Sequence, residues 1–349
     1  MVKRLFAILT YLMVFAMEGL AAEFRVVEPG RVDALHNGSI DVDVVLTSNL
    51  KDDNEVVCNF YLEGLILPGD SAKFRNFVQA SRWRKFDSPR LCLRSPGGAY
   101  DEGLAIARYL MDEAIGTAIE SGAVCGSACA LIFMAGSAPW KGQLNRFLHV
   151  NGVLAFHAPY LDASKMGPKN YSGADVAGSF SQSVQAVNGL IKLGKDRVPH
   201  FFDTQLLSEM LDRGPNEVFA IDTVSKAIRY RVALYGAHAP KMSPQVLVNA
   251  CINYFYDGNL ELTPQELSRI KSTTMKRFPQ GLRAEFDVAP RGGSCVIDVV
   301  MGGGVANRWA FYPNYPGAGG FDGPTGITLA YWYLFPPSTP IASIPRLMQ

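Results

Sequence analysis

From Val56 onward the chain alternates short apolar runs with longer stretches of helical period. The first run, Val56 to Leu67, closes on Pro68-Gly69-Asp70, where Asp70 can cap a helix carrying Phe74, Phe77 and Val78 on one face. A second strand, Arg90 to Arg94, leads through Ser95-Pro96-Gly97-Gly98 into a helix that places Leu104, Ala107, Leu110 or Met111 and Ala114 at spacings of three and four. The third unit is the strand Gly116 to Ile119, a loop rich in Gly and Cys, and an uncharged stretch from Ala128 to Ala135 that reads as a helix buried on all sides. A polar turn after Gly136 precedes a strand from Gly152 to Phe156, which ends at His157-Ala158-Pro159.

Further on, Val176, Phe180, Val184, Val187 and Leu190 mark a long helix that Pro199 ends. A shorter helix through Leu206, Leu207 and Met210 follows, then Phe219 to Ala233. Strands separated by helices of this kind predict an α/β fold built on a mostly parallel sheet. The character changes near Gly236. Tyr235 to Ser243 reads as a linker, and one helix (Ser243 to Tyr256) precedes a Gly-, Pro- and aromatic-rich remainder with β-like runs at Cys295 to Met301 and Ile327 to Phe335. The expected division is therefore a domain over residues 55–240 and a small C-terminal α+β domain over 241–349, to which the sequence assigns no role. Residues 23–54 are polar and irregular, with only Val42 to Leu46 strand-like.

The first 22 residues differ from all of this. Lys3 and Arg4 precede the apolar stretch Leu5 to Met17, and Gly19-Leu20-Ala21-Ala22 offers small residues for cleavage. The stretch falls short of the roughly 20 residues a spanning helix needs, so a secretory signal is expected rather than an anchor, with no stable membrane span after its removal. Export to the periplasm or the extracellular space is the implied location. The mature chain would be neutral, because loss of Lys3, Arg4 and Glu18 takes the net charge from +1 to zero.

With 33 basic and 32 acidic side chains, 48% hydrophobic and 19% charged residues, the composition is globular and offers no field for nucleic acid. Six cysteines, at positions 58, 92, 125, 129, 251 and 295, favour disulfides in an oxidising compartment. The expected pairs are Cys251 with Cys295, both in the C-terminal part, and Cys125 with Cys129. If the second pair were free, Cys129 in a first helical turn would be a rival nucleophile. There is no Cys-x-x-Cys and no His-x-x-x-His, so neither a metal nor another cofactor is expected.

Acyl transfer by serine needs a hydroxyl placed at a helix start, a base within reach, and backbone N–H donors facing the developing oxyanion. Gly126-Ser127-Ala128 lies between the Gly-rich loop and the buried helix, which makes Ser127 a candidate nucleophile and the Ala128 N–H a candidate donor. Each element has an ordinary alternative. A serine opening a helix is commonly an N-cap worth about 1 kcal/mol, Ser-Pro-Gly-Gly is commonly a turn, and a histidine at a strand end is commonly structural. Their joint order changes this, since all three polar elements fall at the carboxyl ends of predicted parallel strands, where sites in open α/β sheets form.

In that order the series resembles the Clp-protease and crotonase superfamily, and more closely its exported Clp-like members, over roughly residues 56–235. The resemblance implies stacked ββα units around the sheet, an oxyanion segment at residues 95–99 with Gly98 as one donor and Ala128 as the other, Ser127 as nucleophile and His157 as general base. It points to Asp212 as the third member, with Asp203 second, although both are also plausible surface carboxylates of a helix. The segment from Gly136 to His157 is longer than in the Clp subunit. The activity implied is that of an ATP-independent serine peptidase on peptide or protein substrates, since no Walker-type motif is present. A lysine base is a variant, with Lys141, Lys165 and Lys169 as candidates. Alternatives are a crotonase-type enzyme of acyl thioesters, which export disfavours, and an inactive binding or scaffold protein. The resemblance also implies self-association into a homo-oligomer.

Overall fold

A computed structural model describes residues 22–26, 58–81, 89–138, 144–158, 171–195, 202–214, 217–237, 240, 243–256, 258, 265, 272–278, 281–289, 293–302, 305–313 and 331–346. The expected leader apart from Ala22, the strand-like Val42 to Leu46 and Lys141, Lys165 and Lys169 lie outside them. The chain divides into two compact units, whose described residues run from 22 to 221 and from 222 to 346.

In the first unit, β1 (Glu23–Val26) pairs antiparallel with β2 (Phe60–Glu63), and β3 (Arg90–Arg94), β4 (Gly116–Ile119) and β6 (Arg146–His149) follow as parallel neighbours. A second, smaller sheet holds β5 (Val124–Gly126), β7 (Val153–Phe156) and β8 (Phe219–Ala220), with β5 parallel to β7 and β8 antiparallel to it. The first unit is thus mixed α/β with a mostly parallel main sheet. Every residue of β4 and β6 is buried, as expected where both sheet faces are covered. That burial includes Arg146 and His149, which is why β6 reads in the sequence as part of a polar turn.

Helices α1 (Asp70–Ala80), α2 (Tyr100–Glu113) and α3 (Ala128–Met134) connect the strands. Helix α2 buries Leu104, Ala107, Leu110 and Met111 as its periodicity predicts, and ends on Ala114 in the left-handed conformation. All seven residues of α3 are buried, again as the uncharged stretch predicts. Asp70 differs from expectation. Gly69, not Asp70, stands at the N-cap of α1, and the buried Asp70 carboxylate instead accepts the Leu67 N–H at 2.7 Å and pairs with Lys73 at 2.9 Å. The cap is supplied from another helix. Glu102 in the first turn of α2 accepts the Gly69 and Ser71 N–H groups at 2.8 and 2.7 Å, satisfying donors that a helix start otherwise leaves open.

Helix α4 (Gly173–Lys195) matches the predicted long helix, but its apolar stripe is only partly covered. Leu190 and Leu193 are buried, whereas Val176, Phe180 and Val184 are 60%, 71% and 51% exposed. Helix α5 (Thr204–Leu211) follows, with Leu206, Leu207 and Met210 buried. Among the described residues, no helix is long and apolar enough to cross a membrane.

The second unit contains α6 (Val224–Arg229), β9 (Ala233–Tyr235), α7 (Pro244–Tyr256) and an antiparallel meander of β10 (Ser272–Phe278), β11 (Gly281–Ala289), β12 (Gly293–Gly302) and β13 (Val305–Pro313). The start of α6, grouped by sequence with the central domain, is bonded to the C-terminal tail through Val224 N–H to Thr339 O and Ser225 N–H to Pro337 O. Of the predicted β-run Ile327 to Phe335, residues Tyr331–Leu334 form a 3-10 turn instead. Asn249 and Asn253 of α7 donate to the carbonyls of Leu334, Tyr333 and Phe335, and those side-chain bonds substitute for strand pairing.

Three disulfides join Cys58 to Cys92, Cys125 to Cys129 and Cys251 to Cys295. The last two are the expected pairs. Cys58 and Cys92 connect the start of β2 to its parallel neighbour β3.

The clamp at the start of α1 has a measurable pH signature. The Gly69 N–H, and then Ser71, hold the Glu102 carboxyl below the ordinary carboxylate range. A depressed folded-state value contributes stability that is present above the unfolded pKa and lost as pH falls through the folded one. Glu102→Ala is expected to lower unfolding free energy by about 1 kcal/mol at neutral pH, the usual worth of a helix cap. In urea titrations the difference from wild type should shrink as the pH drops below the ordinary carboxylate range.

Candidate active site

Three segments at strand carboxyl ends meet in one place. Ser95 follows β3, Ser127 follows β5 and His157 follows β7. Ser95 bridges in parallel to Cys125, with its N–H on Val124 O at 2.8 Å and its carbonyl accepting from Gly126 N–H at 3.0 Å. Its buried hydroxyl accepts the Gly97 N–H at 3.1 Å and holds the Ser-Pro-Gly-Gly turn closed.

Both glycines of that turn are required by space. Gly97 has φ +106, and a Cβ there would lie 2.6 Å from the Ser127 Cβ and from Gly126 O. Gly98 has φ +140, and a Cβ there would lie 2.1 Å from Ile66 O. Two bonds lock the turn onto that residue, Ile66 N–H to Gly97 O and Ala99 N–H to Ile66 O, each 2.8 Å.

Ser127 makes the entire strand-to-helix turn by itself. Its N–H still belongs to the sheet, donating to Ala155 O at 3.1 Å, while its carbonyl already accepts from Ala130 and Leu131 of α3. The backbone does both at φ 53, ψ −123, outside the ordinary wells of an L-residue. The side chain makes no capping hydrogen bond, so the N-cap role that a helix-opening serine usually fills is not filled here.

A cavity of about 150 Å³ brings the candidates together, lined by Gly98, Ser127, Ala128 and His157 together with Tyr100, Leu131, Phe156, Leu190 and Met210. The N–H groups of Gly98 and Ala128 meet no acceptor among the described residues. His157 is half-buried, and its Nδ1 lies 2.7 Å from the Ala158 carbonyl. A carbonyl only accepts, so this bond puts the proton on Nδ1 and leaves Nε2 as the basic nitrogen.

The carboxylates behave differently. Asp212 is exposed beyond the last turn of α5 and is not part of the cavity wall, although Met210 two residues earlier is. Asp203 caps α5, its carboxylate accepting the Gln205 N–H at 2.7 Å. Neither was brought to His157 by the packing of α5, whose inward face is Leu206, Leu207 and Met210.

The apolar wall was not legible from local pattern. Leu131 lies one helical turn beyond Ser127, but Leu190 and Met210 come from α4 and α5, far along the chain. Phe156 is backed by the rings of Phe202 and Phe219, with centroids 6.4 and 6.5 Å away. Tyr100 donates its hydroxyl to Ala186 O and ties α2 to α4 at the cavity edge. Burial holds its phenol well above the ordinary range, so it remains a protonated donor rather than a base.

No family model and no curated protein matches the chain. Among solved structures, a ClpP1 point mutant from Listeria monocytogenes matches at 14% identity over 50% of this chain and 90% of that one, with a TM-score of 0.35. The likeness is distant.

The close approach of Gly97 to Ser127 generates a direct test. Gly97→Ala combines a positive-φ penalty with an overpacked contact, and should lower unfolding free energy by about 2 kcal/mol or more. Thermal unfolding followed by circular dichroism would measure it, and an unchanged midpoint would show that the turn is looser than described.

Proposed function

We propose that this protein is an exported serine hydrolase of the Clp-like peptidase type, with Ser127 as nucleophile, His157 as general base and the Gly98 and Ala128 N–H groups as oxyanion donors. The observation that carries the proposal is the state of Ser127. A residue at φ 53 costs an L-amino acid of order 1–3 kcal/mol, and glycine would hold that turn with less strain. The side chain present there makes no capping hydrogen bond and lines a cavity shared with an imidazole and two amide donors that meet no acceptor among the described residues.

In the proposed reaction the Ser127 hydroxyl attacks a carbonyl carbon while His157 Nε2 takes its proton. The developing oxyanion is held by the two backbone donors, and the imidazolium then protonates the leaving amine. The Ala158 carbonyl, at 2.7 Å from Nδ1, orients the ring, the part that Asp212 would play in a three-residue site. The substrate is a peptide or protein. Leu131, Phe156, Leu190 and Met210 offer an apolar recess suited to an uncharged side chain beside the scissile bond. Three disulfides accord with folding in an oxidising compartment outside the cytosol.

A fluorophosphonate probe followed by mass spectrometry tests this. Wild-type protein should be modified at Ser127, and Ser127→Ala should not be. His157→Ala should slow labelling about 100-fold or more, in line with loss of a general base. Asp212→Asn should stay within about twofold of wild type, as for an ordinary surface substitution. Absence of any adduct on Ser127 in the folded wild-type protein would overturn the hydrolase reading.

A further inference from the structure

The strained serine sits between two cysteines, each two residues away, and those cysteines are bonded to each other. Cys125 is the middle residue of β5 and Cys129 the second residue of α3. Four residues span about 13 Å when extended and about 6 Å along a helix. The Cα atoms of this pair are 5.2 Å apart, closer than either regular structure allows along the same length of chain. A strand that enters a helix within that span must reverse sharply at its centre, and the centre is Ser127.

We infer that the Cys125–Cys129 bridge is a positioning element for Ser127, holding it at positive φ with its side chain on the cavity. This rests on the hydrolase reading for its kinetic consequence and on geometry alone for its structural one. Two hydrogen bonds, from Ser127 N–H to Ala155 O and from Ala130 N–H to Ser127 O, anchor the flanks of the turn, and the bridge adds a covalent tie across its centre. The alternative conformation is that of an ordinary helix N-cap, reached by rotation at Ser127. In such a relaxed turn the hydroxyl would swing to the open N–H groups of α3 and away from His157. The bridge opposes that rotation directly because it fixes the distance across the turn. Both cysteines are 0% exposed, so the constraint is not available to solvent thiols in the folded protein.

The bridge from Cys58 to Cys92 provides an internal control. It joins the segment leading into β2 to the neighbouring strand β3 and lies in neither the Ser-Pro-Gly-Gly turn nor the cavity wall. Removing it should lower stability without changing the reactivity of Ser127 in the molecules that remain folded.

The test compares wild type, Cys125→Ala/Cys129→Ala and Cys58→Ala/Cys92→Ala by crystal structure and by fluorophosphonate kinetics at saturating and limiting probe. In the first pair variant, Ser127 should relax to negative φ. Its maximal labelling rate should fall about 10- to 100-fold, the equivalent of the released strain, with the probe's half-saturation concentration within about twofold of wild type. The second pair variant should keep the wild-type rate. If the first variant does not fold, Cys125→Ser/Cys129→Ser, which nearly keeps each side-chain volume, supplies the same two readouts. A pair variant that keeps Ser127 near φ +53, or labels at the wild-type rate, overturns the inference. Absence of labelling in wild type would instead sink the hydrolase reading, and the backbone comparison would still decide the role of the bridge.

Discussion

One residue has to satisfy two structures at once. The N–H of Ser127 completes the ladder between β5 and β7, and its carbonyl opens the hydrogen-bond series of α3. No intervening residues share the change of direction. Sheet and helix are joined here through a conformation that side chains ordinarily avoid. Much of the first unit supports this junction, because α3 is buried on every side and β5 is held from both flanks by Ser95 and β7. The position of the cavity follows, since the turn faces the strand ends from which Gly98 and His157 also emerge.

The elements around that junction were legible where local pattern and tertiary environment agree. The stretch Ala128 to Ala135 carries no charge, and an uncharged helix is a buried one. Helix α2 shows its buried face as a run of threes and fours. The pattern failed where burial and polarity disagree. Arg146 and His149 are buried in β6, and a strand bounded by such residues reads as a turn. It failed again over residues 272–278 and 281–289, which form two strands of the meander although neither stood out in the sequence. Antiparallel strands are defined by their partners, and a partner is not a local property. The half-exposed stripe of α4 shows the reverse case, in which helical period is unmistakable but does not say how much of the apolar face is covered.

The candidate site divides along the same line. Ser127, His157, Gly98 and Ala128 sit beside glycines or prolines at strand ends, where the sequence marks a change of direction. The recess beside them does not announce itself, because Leu190 and Met210 resemble any other core residue until α4 and α5 are folded over Phe156. A third, carboxylate member of the site is not legible for a related reason. Position along a helix does not reveal which way its acidic side chain turns, and α5 directs Asp203 to its own N-terminus and Asp212 to solvent. The Ala158 carbonyl, one residue from the ring it contacts, is invisible to any search confined to side chains.

The cross-link around residue 127 also bears on when the strain is met. A conformation maintained by substrate contacts must be regained at every encounter, and part of each binding event is spent restoring it. A covalent tie formed once, as the polypeptide acquires its native shape, settles that expense for the lifetime of the molecule. On that inference a ligand finds the recess already arranged, beside a strained backbone conformation that the protein's own covalent structure encloses.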